Sequence, residues 1–355
     1  MPTSSITKAC MRSAEANSRK ILITGVAGFI GFHLARRLLG KSNDGLEIVG
    51  IDNLNDYYDP SLKLARLRVL GVEADGEAEE SISEKYRKFV FKKIDITDKV
   101  AMEALFAQGD FDVVFHLAAQ ASARYSTLNP REYLDSNIVG FFNVLEGCRI
   151  HDVGQLFYAS SLSVYGMSDN VPYTEVDDAA RPVSFYAATK RSNELMAHSY
   201  ASVYGLHVTG LRFFSVYGPW GRPDMAPYMF IDAILSGKKI KVFNSGDMYR
   251  DFTYIDDVVE GMVRLLEAEA AADLYRIFNI GNSQPVRLLD YIATIERTTG
   301  RIAQMEMMPM HPGDVYKTYS DSSALQQAVG FKPSTPHETG VEKTVGWFKN
   351  YYAMN

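Results

Sequence analysis

Apolar residues first gather at Ile21, Leu22 and Ile23, an unbroken run behind Arg19 and Lys20. Short continuous runs of this kind are expected of strands buried on both faces. A glycine-rich turn follows, and in "FIGFHLARRLLG" the positions Ile30, Leu34, Leu38 and Leu39 recur at helical spacing. The alternation then repeats. "LEIVGID", "FVFKKID", "DVVFHLAA", "QLFYASS" and "HVTGLRFF" read as further strands, and helical patterns fill the intervals, notably Ala101–Ala107, Tyr133–Arg149 and Tyr186–Tyr204. Strands alternating with helices predict an α/β fold, a doubly wound parallel sheet of Rossmann type.

Two interruptions break the rhythm. Gly71–Tyr86 is acidic and reads as an exposed excursion. After Phe214 the pattern loosens into "SVYGPWGRPDMAP", whose Gly and Pro content suits a functional loop. Beyond it helices and short strands mix irregularly, which predicts a smaller mixed α/β part covering a substrate. The expected organisation is a frayed tail at 1–18, a nucleotide-binding domain at 19–214 with a returning segment near 252–283, and a substrate-binding domain from 215–251 and 284–352.

Composition narrows the function. The 355 residues are 46 % hydrophobic, enough for one large domain or two interleaved ones. A formal net charge of −6 without a dense Lys/Arg block argues against nucleic acid and anionic membrane as partners. A small anionic ligand needs only a few arginines. Cys10 and Cys148 are the sole cysteines and form neither a disulfide framework nor a zinc spacing. The seven histidines are scattered, and no metal site is expected. The first 18 residues lack the apolar run of a signal peptide. No stretch reaches the roughly 20 apolar residues that span a bilayer. A cytoplasmic, reducing location is the expectation.

In "TGVAGFIG", Gly25, Gly28 and Gly31 stand three apart between strand and helix. Such glycines permit a tight turn, backbone approach to a pyrophosphate, and close helix–strand packing. The helix N-terminus then presents N–H groups and a positive dipole end. Asp52 closes the second strand, where a carboxylate can accept from adenosine ribose hydroxyls and repel a 2′-phosphate, favouring NAD over NADP. The plainer alternative is a capping aspartate. Asp95, at the end of the third strand, either faces an adenine or caps "ITDKVAMEALF".

The fifth strand ends in "YASSLSVYG", and the next helix carries Tyr186 and Lys190. Positions i and i+4 share one helical face. An ammonium beside a phenol favours the phenolate and makes tyrosine a candidate general base. A strand-end serine could hydrogen-bond the same substrate oxygen. Without the nucleotide turn, the pair would read as an amphipathic surface.

"TGVAGFIG", "HLAAQ", "SSLSVYG", "YAATK" and "GDMYRDFTYIDD" resemble, in order, the blocks of the extended short-chain dehydrogenase/reductase family and its nucleotide-sugar epimerases. The similarity runs from about residue 19 to about 350. "GIDNLNDYYDPSLKLARL", "QASARYSTLNPREYLDSNIVGFFNVLE" and "GLRFFSVYGPWGRPDMAPYMF" resemble the UDP-glucuronate 4-epimerases in particular. This resemblance implies Tyr186 as base, Lys190 as its support and Ser161 as hydroxyl partner. It implies NAD lined by Gly25, Gly28, Phe29, Ile30, Asp52, Asn53, Asp95 and Ile96, with Leu117, Ala118, Ala119 and Gln120 completing the wall. Tyr186 and Lys190 would also meet the nicotinamide end. Arg250 and Arg222 would be anion contacts, with Arg124 on the same substrate side. Ser163 and Ser215 would meet the sugar, and Val242 and Phe243 the uracil.

Some positions depart from the pattern. Leu162 stands where these epimerases carry a small polar residue, Ser122 and Ala123 replace Gly-Val, and His311 stands where some carry arginine. Related dehydratases and decarboxylases place an acid just after the catalytic Thr/Ser; here "SLSVYG" has Leu162 and Ser163, which implies epimerisation. The alternatives are a UDP-glucose or UDP-N-acetylhexosamine 4-epimerase, a UDP-glucuronate decarboxylase, and a non-catalytic NAD-binding regulator. The resemblance also implies a homodimer paired through the helices at Tyr133–Arg149 and Tyr186–Tyr204.

Overall fold

The computed structural model describes residues 19–41, 45–73, 79–168, 170–268, 272–310 and 314–353. The tail at 1–18 with its Cys10, and His311, lie outside the described residues. Among the described residues the strands are, in chain order, β1 (Arg19–Thr24), β2 (Leu46–Asp52), β3 (Glu80–Ile82), β4 (Phe89–Lys93), β5 (Val113–His116), β6 (Gln155–Ser161), β7 (Val208–Phe213), β8 (Ser215–Tyr217), β9 (Lys239–Phe243), β10 (Tyr249–Arg250), β11 (Phe252–Tyr254), β12 (Tyr275–Ile280), β13 (Val286–Arg287) and β14 (Gln304–Met308).

Eight of them form one sheet, ordered β12-β7-β6-β5-β1-β2-β4-β3, with every neighbour parallel except β3. The chain winds outward from β1 through β2 and β4, then returns to add β5, β6, β7 and β12 on the other side. The direction reverses between β1 and β5, where Ile21 pairs with Ile48 on one side and with Val113 on the other. Open α/β sheets bind ligands beyond the strand ends at such a switch point.

The strand β1 shows why its apolar run is continuous. Side chains alternate faces in a strand. Ile21 and Ile23 join the core that includes Phe32 and Leu38 of the helix Phe29–Gly40. Leu22 joins the opposite core with Met102 and Phe106 of the helix Lys99–Gly109 and Val144 of the helix Phe141–Ile150. Both faces are covered, so no polar position is tolerated between them.

Two expectations are corrected. The acidic stretch Gly71–Tyr86 is not a wholly exposed excursion. Val72 and Ser83 are buried, and Glu80–Ile82 adds an antiparallel edge strand to β4. Its charges disguised it, yet charged side chains are how edge strands resist further pairing; Glu80 meets Lys92 at 2.7 Å. The helix expected at Tyr133–Arg149 is present but not α-helical throughout: a π-helix, Leu134–Gly140, joins the short helix Pro130–Tyr133 without a break to the α-helix Phe141–Ile150. Gly140 lies against Ile96, and a Cβ there would stand 2.6 Å from the isoleucine side chain. The π turn also carries Ser136 into the cleft described below.

The remaining strands build small ribbons past the end of β7. β8 pairs with β11 and β9 with β14, both parallel, and β10 pairs with β13 antiparallel. They bring the loop at 218–225 over the carboxyl ends of the main sheet. Among the described residues no helix is long and apolar enough to cross a membrane.

Candidate active site

A cleft of about 440 Å³ opens at the switch point. One end is the glycine turn. Gly25 has φ +69°, and an added Cβ would stand 2.7 Å from Ala118 N. A Cβ on Gly31 would stand 2.3 Å from the Gly25 carbonyl oxygen, so the helix can approach the turn only as glycine. Gly28 caps the helix Phe29–Gly40 without a side chain, and no side-chain bond occupies the first-turn N–H groups. That is an anion cradle open to a pyrophosphate.

Asp52 ends β2 in this wall. Its carboxylate accepts from Ala27 N at 3.2 Å and Leu54 N at 2.9 Å, so it both shapes the turn and faces the cleft. The buried Lys63 stands 3.8 Å from it and donates to the Asn55 carbonyl and side chain. Burial draws the Lys63 ammonium below the ordinary lysine value, and Asp52 partly offsets this. A cradle with a carboxylate at the ribose position fits an NAD-sized dinucleotide. Phe29, Ile30, Asn53, Ile96, Leu117, Ala118, Ala119 and Gln120 also line the cleft. Asp95 does not: its oxygens take Asn53 Nδ2 at 2.8 Å and Thr97 N and Oγ1 at 2.8 and 2.7 Å. It therefore acts on the wall through Asn53.

At the other end Ser161, Tyr186 and Lys190 meet. Ser184 caps the helix Phe185–Tyr204 by accepting from Ala187 N at 3.1 Å, which starts the helix just before Tyr186. Tyr186 keeps part of its surface open to the cleft, while the surrounding protein pushes its phenol above the ordinary value. The Ser161 hydroxyl and the Arg222 charge pull in the opposite direction. The expected Lys190 effect on this phenol is therefore not the dominant one. The lysine is fully enclosed, donates to the Ala159 carbonyl at 2.9 Å, and is itself drawn down to about 8 by burial. Ser161 accepts from Ser163 N at 3.1 Å and so heads the turn Leu162–Tyr165, which aims both serines at the cleft.

The lowered Lys190 value has a consequence for folding. Between about pH 8 and the ordinary lysine value, the unfolded chain holds a proton that the folded chain has released, so this group's contribution to stability rises with pH across that window. Lys190→Met is expected to remove that rise. Denaturant midpoints compared at about pH 8 and about pH 10 for both proteins check it, and parallel pH slopes would contradict it.

Four substrate-side candidates stand beside the cleft rather than in its wall. Arg124 lies over the Phe243 ring at 4.5 Å and pairs with Asp314 at 2.9 Å. Arg250 donates to the Tyr249 and Tyr316 carbonyls at 2.9 and 3.2 Å, and feels both Asp314 and Arg124. Val242 is fully buried, backbone included, between its neighbours on β9 and its partner strand β14, so none of it is open to a ligand. Arg222 and Ser215 do line the cleft. Arg222 is not a free cation, because Asp224 holds it at 2.6 Å and Tyr57 stands beneath it and donates to the same aspartate at 2.9 Å. Lys63, Tyr57 and Asp224 were missed by the sequence reading, though all three fall inside the quoted runs "NDYYDPSLK" and "GRPDMA".

Residues 21–281 match the model of the NAD dependent epimerase/dehydratase family. This chain belongs to that family. It is 41 % identical to the probable UDP-glucuronate 4-epimerase of Rhizobium meliloti, over 94 % of this chain and 98 % of that one. In solved structures its fold is similar to the UDP-glucuronic acid 4-epimerase of Bacillus cereus in complex with UDP-glucuronic acid and NAD, with a TM-score of 0.84, 32 % identity, and coverage of 94 % of this chain and 100 % of that chain. It is also similar to the UDP-glucose 4-epimerase of Thermotoga maritima with UDP-glucose, with a TM-score of 0.81, 28 % identity, and coverage of 94 % and 99 %. The similarity to epimerases covers both ends of the cleft, the glycine turn and the Ser161–Tyr186–Lys190 corner.

Proposed function

We propose that this epimerase inverts C4 of UDP-glucuronate to give UDP-galacturonate through a transient 4-keto sugar. The observation that carries the reading is the meeting of Ser161, Tyr186 and Lys190 at one end of a cleft whose other end is a dinucleotide cradle. Bound NAD supplies the hydride acceptor and donor, and is regenerated within each turnover. Gly25, Gly28, Phe29, Ile30, Asp52 and Asn53 would hold it, with Leu117–Gln120 alongside in the same cleft wall.

The chain's own residues handle the proton and the orientation. Tyr186 takes the proton of the C4 hydroxyl and later returns one to the opposite alkoxide. Ser161 hydrogen-bonds the same oxygen, and Lys190 supports the base from the next helical turn. Ser163 and Ser215 contact the sugar. Arg124 and Arg250 offset diphosphate and carboxylate charge, Arg222 adds only the charge that Asp224 leaves it, and Phe243 stands beside the uracil with Val242 buried behind it. The acid of a dehydratase or decarboxylase is absent at Leu162 and Ser163. The carboxylate that does line this end, Asp224, is engaged by Arg222 and Tyr57. Residues 19–214 with 252–283 form the NAD-binding unit, and 215–251 with 284–352 form the sugar-binding unit. The return of β12 to the main sheet beside β7 supports this division.

Incubation of the purified protein with UDP-glucuronate is expected to yield UDP-galacturonate without added NAD, resolved by anion-exchange chromatography. A second reading, a UDP-sugar with a neutral C6, is favoured by one observation: Leu162 puts an apolar side chain in the cleft wall between the two serines. UDP-glucose and UDP-N-acetylglucosamine in parallel reactions separate the readings.

The protein acts as a homodimer in the cytoplasm and supplies an activated uronate for polysaccharide biosynthesis. Its adjacent helices, joined by the 2.7 Å bond from Tyr200 to Glu146, leave Phe142 46 %, Ile150 54 %, Leu195 58 % and Val203 67 % exposed. Light scattering at micromolar protein is expected to give twice the chain mass, and a chain-sized mass would count against the dimer.

A further inference from the structure

One buried ion pair next to the catalytic residues has no part in the chemistry above. Tyr186, Lys190 and Glu194 recur every four residues on one face of the helix Phe185–Tyr204. Glu194 is fully buried and Arg212, on β7, is 2 % exposed. Arg212 grips Glu194 as a fork, Nε to Oε1 at 2.8 Å and Nη2 to Oε2 at 2.9 Å. Ser160 donates to Oε1 at 2.6 Å, and Arg191 to Oε2 at 2.8 Å. The third Arg212 nitrogen, Nη1, reaches the Tyr165 hydroxyl at 2.9 Å, at the end of the turn that carries Ser163.

Two consequences follow from these contacts. Ser160 precedes Ser161 and follows Ala159, whose carbonyl takes the Lys190 ammonium. Fixing Ser160 to Glu194 therefore fixes the distance between β6 and the catalytic helix at the point where all three reacting side chains are anchored. Second, Lys190 and Glu194 have the spacing at which a lysine and a glutamate on a helix attract each other. Both carboxylate oxygens are already taken by Arg212, Arg191 and Ser160, while the lysine is directed to Ala159.

We propose that Glu194 and Arg212 are positioning residues for the epimerisation. The pair locks Ser161 against Tyr186, and by saturating Glu194 it keeps the Lys190 ammonium on the Ala159 carbonyl in the cleft wall instead of captured by the neighbouring carboxylate. A buried pair of this kind adds little net stability over apolar residues of the same shape, whereas loss of one partner strands a charge. Its value is then expected in geometry, where a displacement of about 1 Å can cost about a hundredfold in rate.

The inference rests on the assignment of Ser161, Tyr186 and Lys190 made above. The test measures kcat, KM and bound NAD for Ser160→Ala, Arg212→Lys, Arg212→Met and Tyr186→Phe, each normalised to folded, NAD-loaded enzyme. Arg212→Met is expected to lower kcat at least about tenfold with KM within about twofold, and Arg212→Lys to restore part of it, since a single ammonium replaces the fork. Ser160→Ala, which removes one hydrogen bond and is expected to fold normally, should lower kcat several-fold at unchanged KM, with the melting temperature lowered by no more than a few degrees. Wild-type kcat per folded molecule in Ser160→Ala and Arg212→Lys would overturn the proposal, even if Arg212→Met fails to fold. Wild-type kcat in Tyr186→Phe would instead overturn the catalytic assignment on which it rests.

Discussion

Tyr186→Phe is expected to lower turnover of the UDP-sugar at least about hundredfold while the protein stays folded and keeps its NAD. The change removes one oxygen. The ring remains, and with it the edge-on contact to Tyr133 at 6.1 Å. What disappears is the phenol proposed to exchange the C4 proton. Ser161 cannot replace it, because its oxygen already accepts from Ser163 N and its hydroxyl is a poor base at neutral pH. KM should change little, since the phenol's work lies in the transition state. Activity within about tenfold of wild type would mean that another group carries the proton. The same variant should raise no new acid or base elsewhere, so its residual rate should lose the pH dependence that the phenol imposes.

The second large effect is expected at the opposite end of the cleft. Gly25→Val should abolish NAD retention and lower the melting temperature by several degrees. Gly25 adopts φ +69°, a conformation that costs a β-branched residue about 1–3 kcal/mol before any clash is counted. The added Cβ would then press on backbone, 2.7 Å from Ala118 N and 2.8 Å from Ala118 Cα. That backbone cannot give way easily. β1 and β5 are hydrogen-bonded neighbours, and the Thr24 hydroxyl holds the N–H groups of Leu117 and Ala118 at 3.2 and 3.1 Å. Nucleotide content after gel filtration, read with thermal unfolding, checks both parts. A variant that elutes with full NAD would show that the turn does not hold the pyrophosphate.

The sequence made the central strands legible because burial on both faces leaves only apolar residues in runs such as Ile21–Ile23. It made the helix Phe185–Tyr204 legible as a candidate site because Tyr186 and Lys190 lie four apart on one face. The edge strand Glu80–Ile82 was hidden, since its side chains report on water and not on its partner. The π-helix at Leu134–Gly140 was hidden because it lasts only 7 residues between two helices, too short to show a period of its own. Contacts far apart in the chain were the hardest to foresee. Nothing in "NDYYDP" announces that Tyr57 will meet Asp224, or that Arg222 will arrive at the cleft already paired. The Glu194–Arg212 pair was missed for a related reason: charged residues on a helix are ordinarily solvated, and only the fold shows that these two are enclosed.

Arg66, fully buried in the helix Pro60–Val69, bears on how such an enzyme can be altered. Its guanidinium donates to Ala27 O at 2.7 Å in the glycine turn, to Trp220 O at 2.7 Å in the loop at 218–225, and to the Tyr58 hydroxyl at 2.6 Å. The loop at 218–225 is thus fastened by a residue that precedes it by more than a hundred positions. A loop grafted from a relative without its own fastening would arrive beside a stranded cation, with two carbonyls facing the wrong partner. The piece of chain that carries this loop is therefore discontinuous: the loop and residues 58–66 have to travel together.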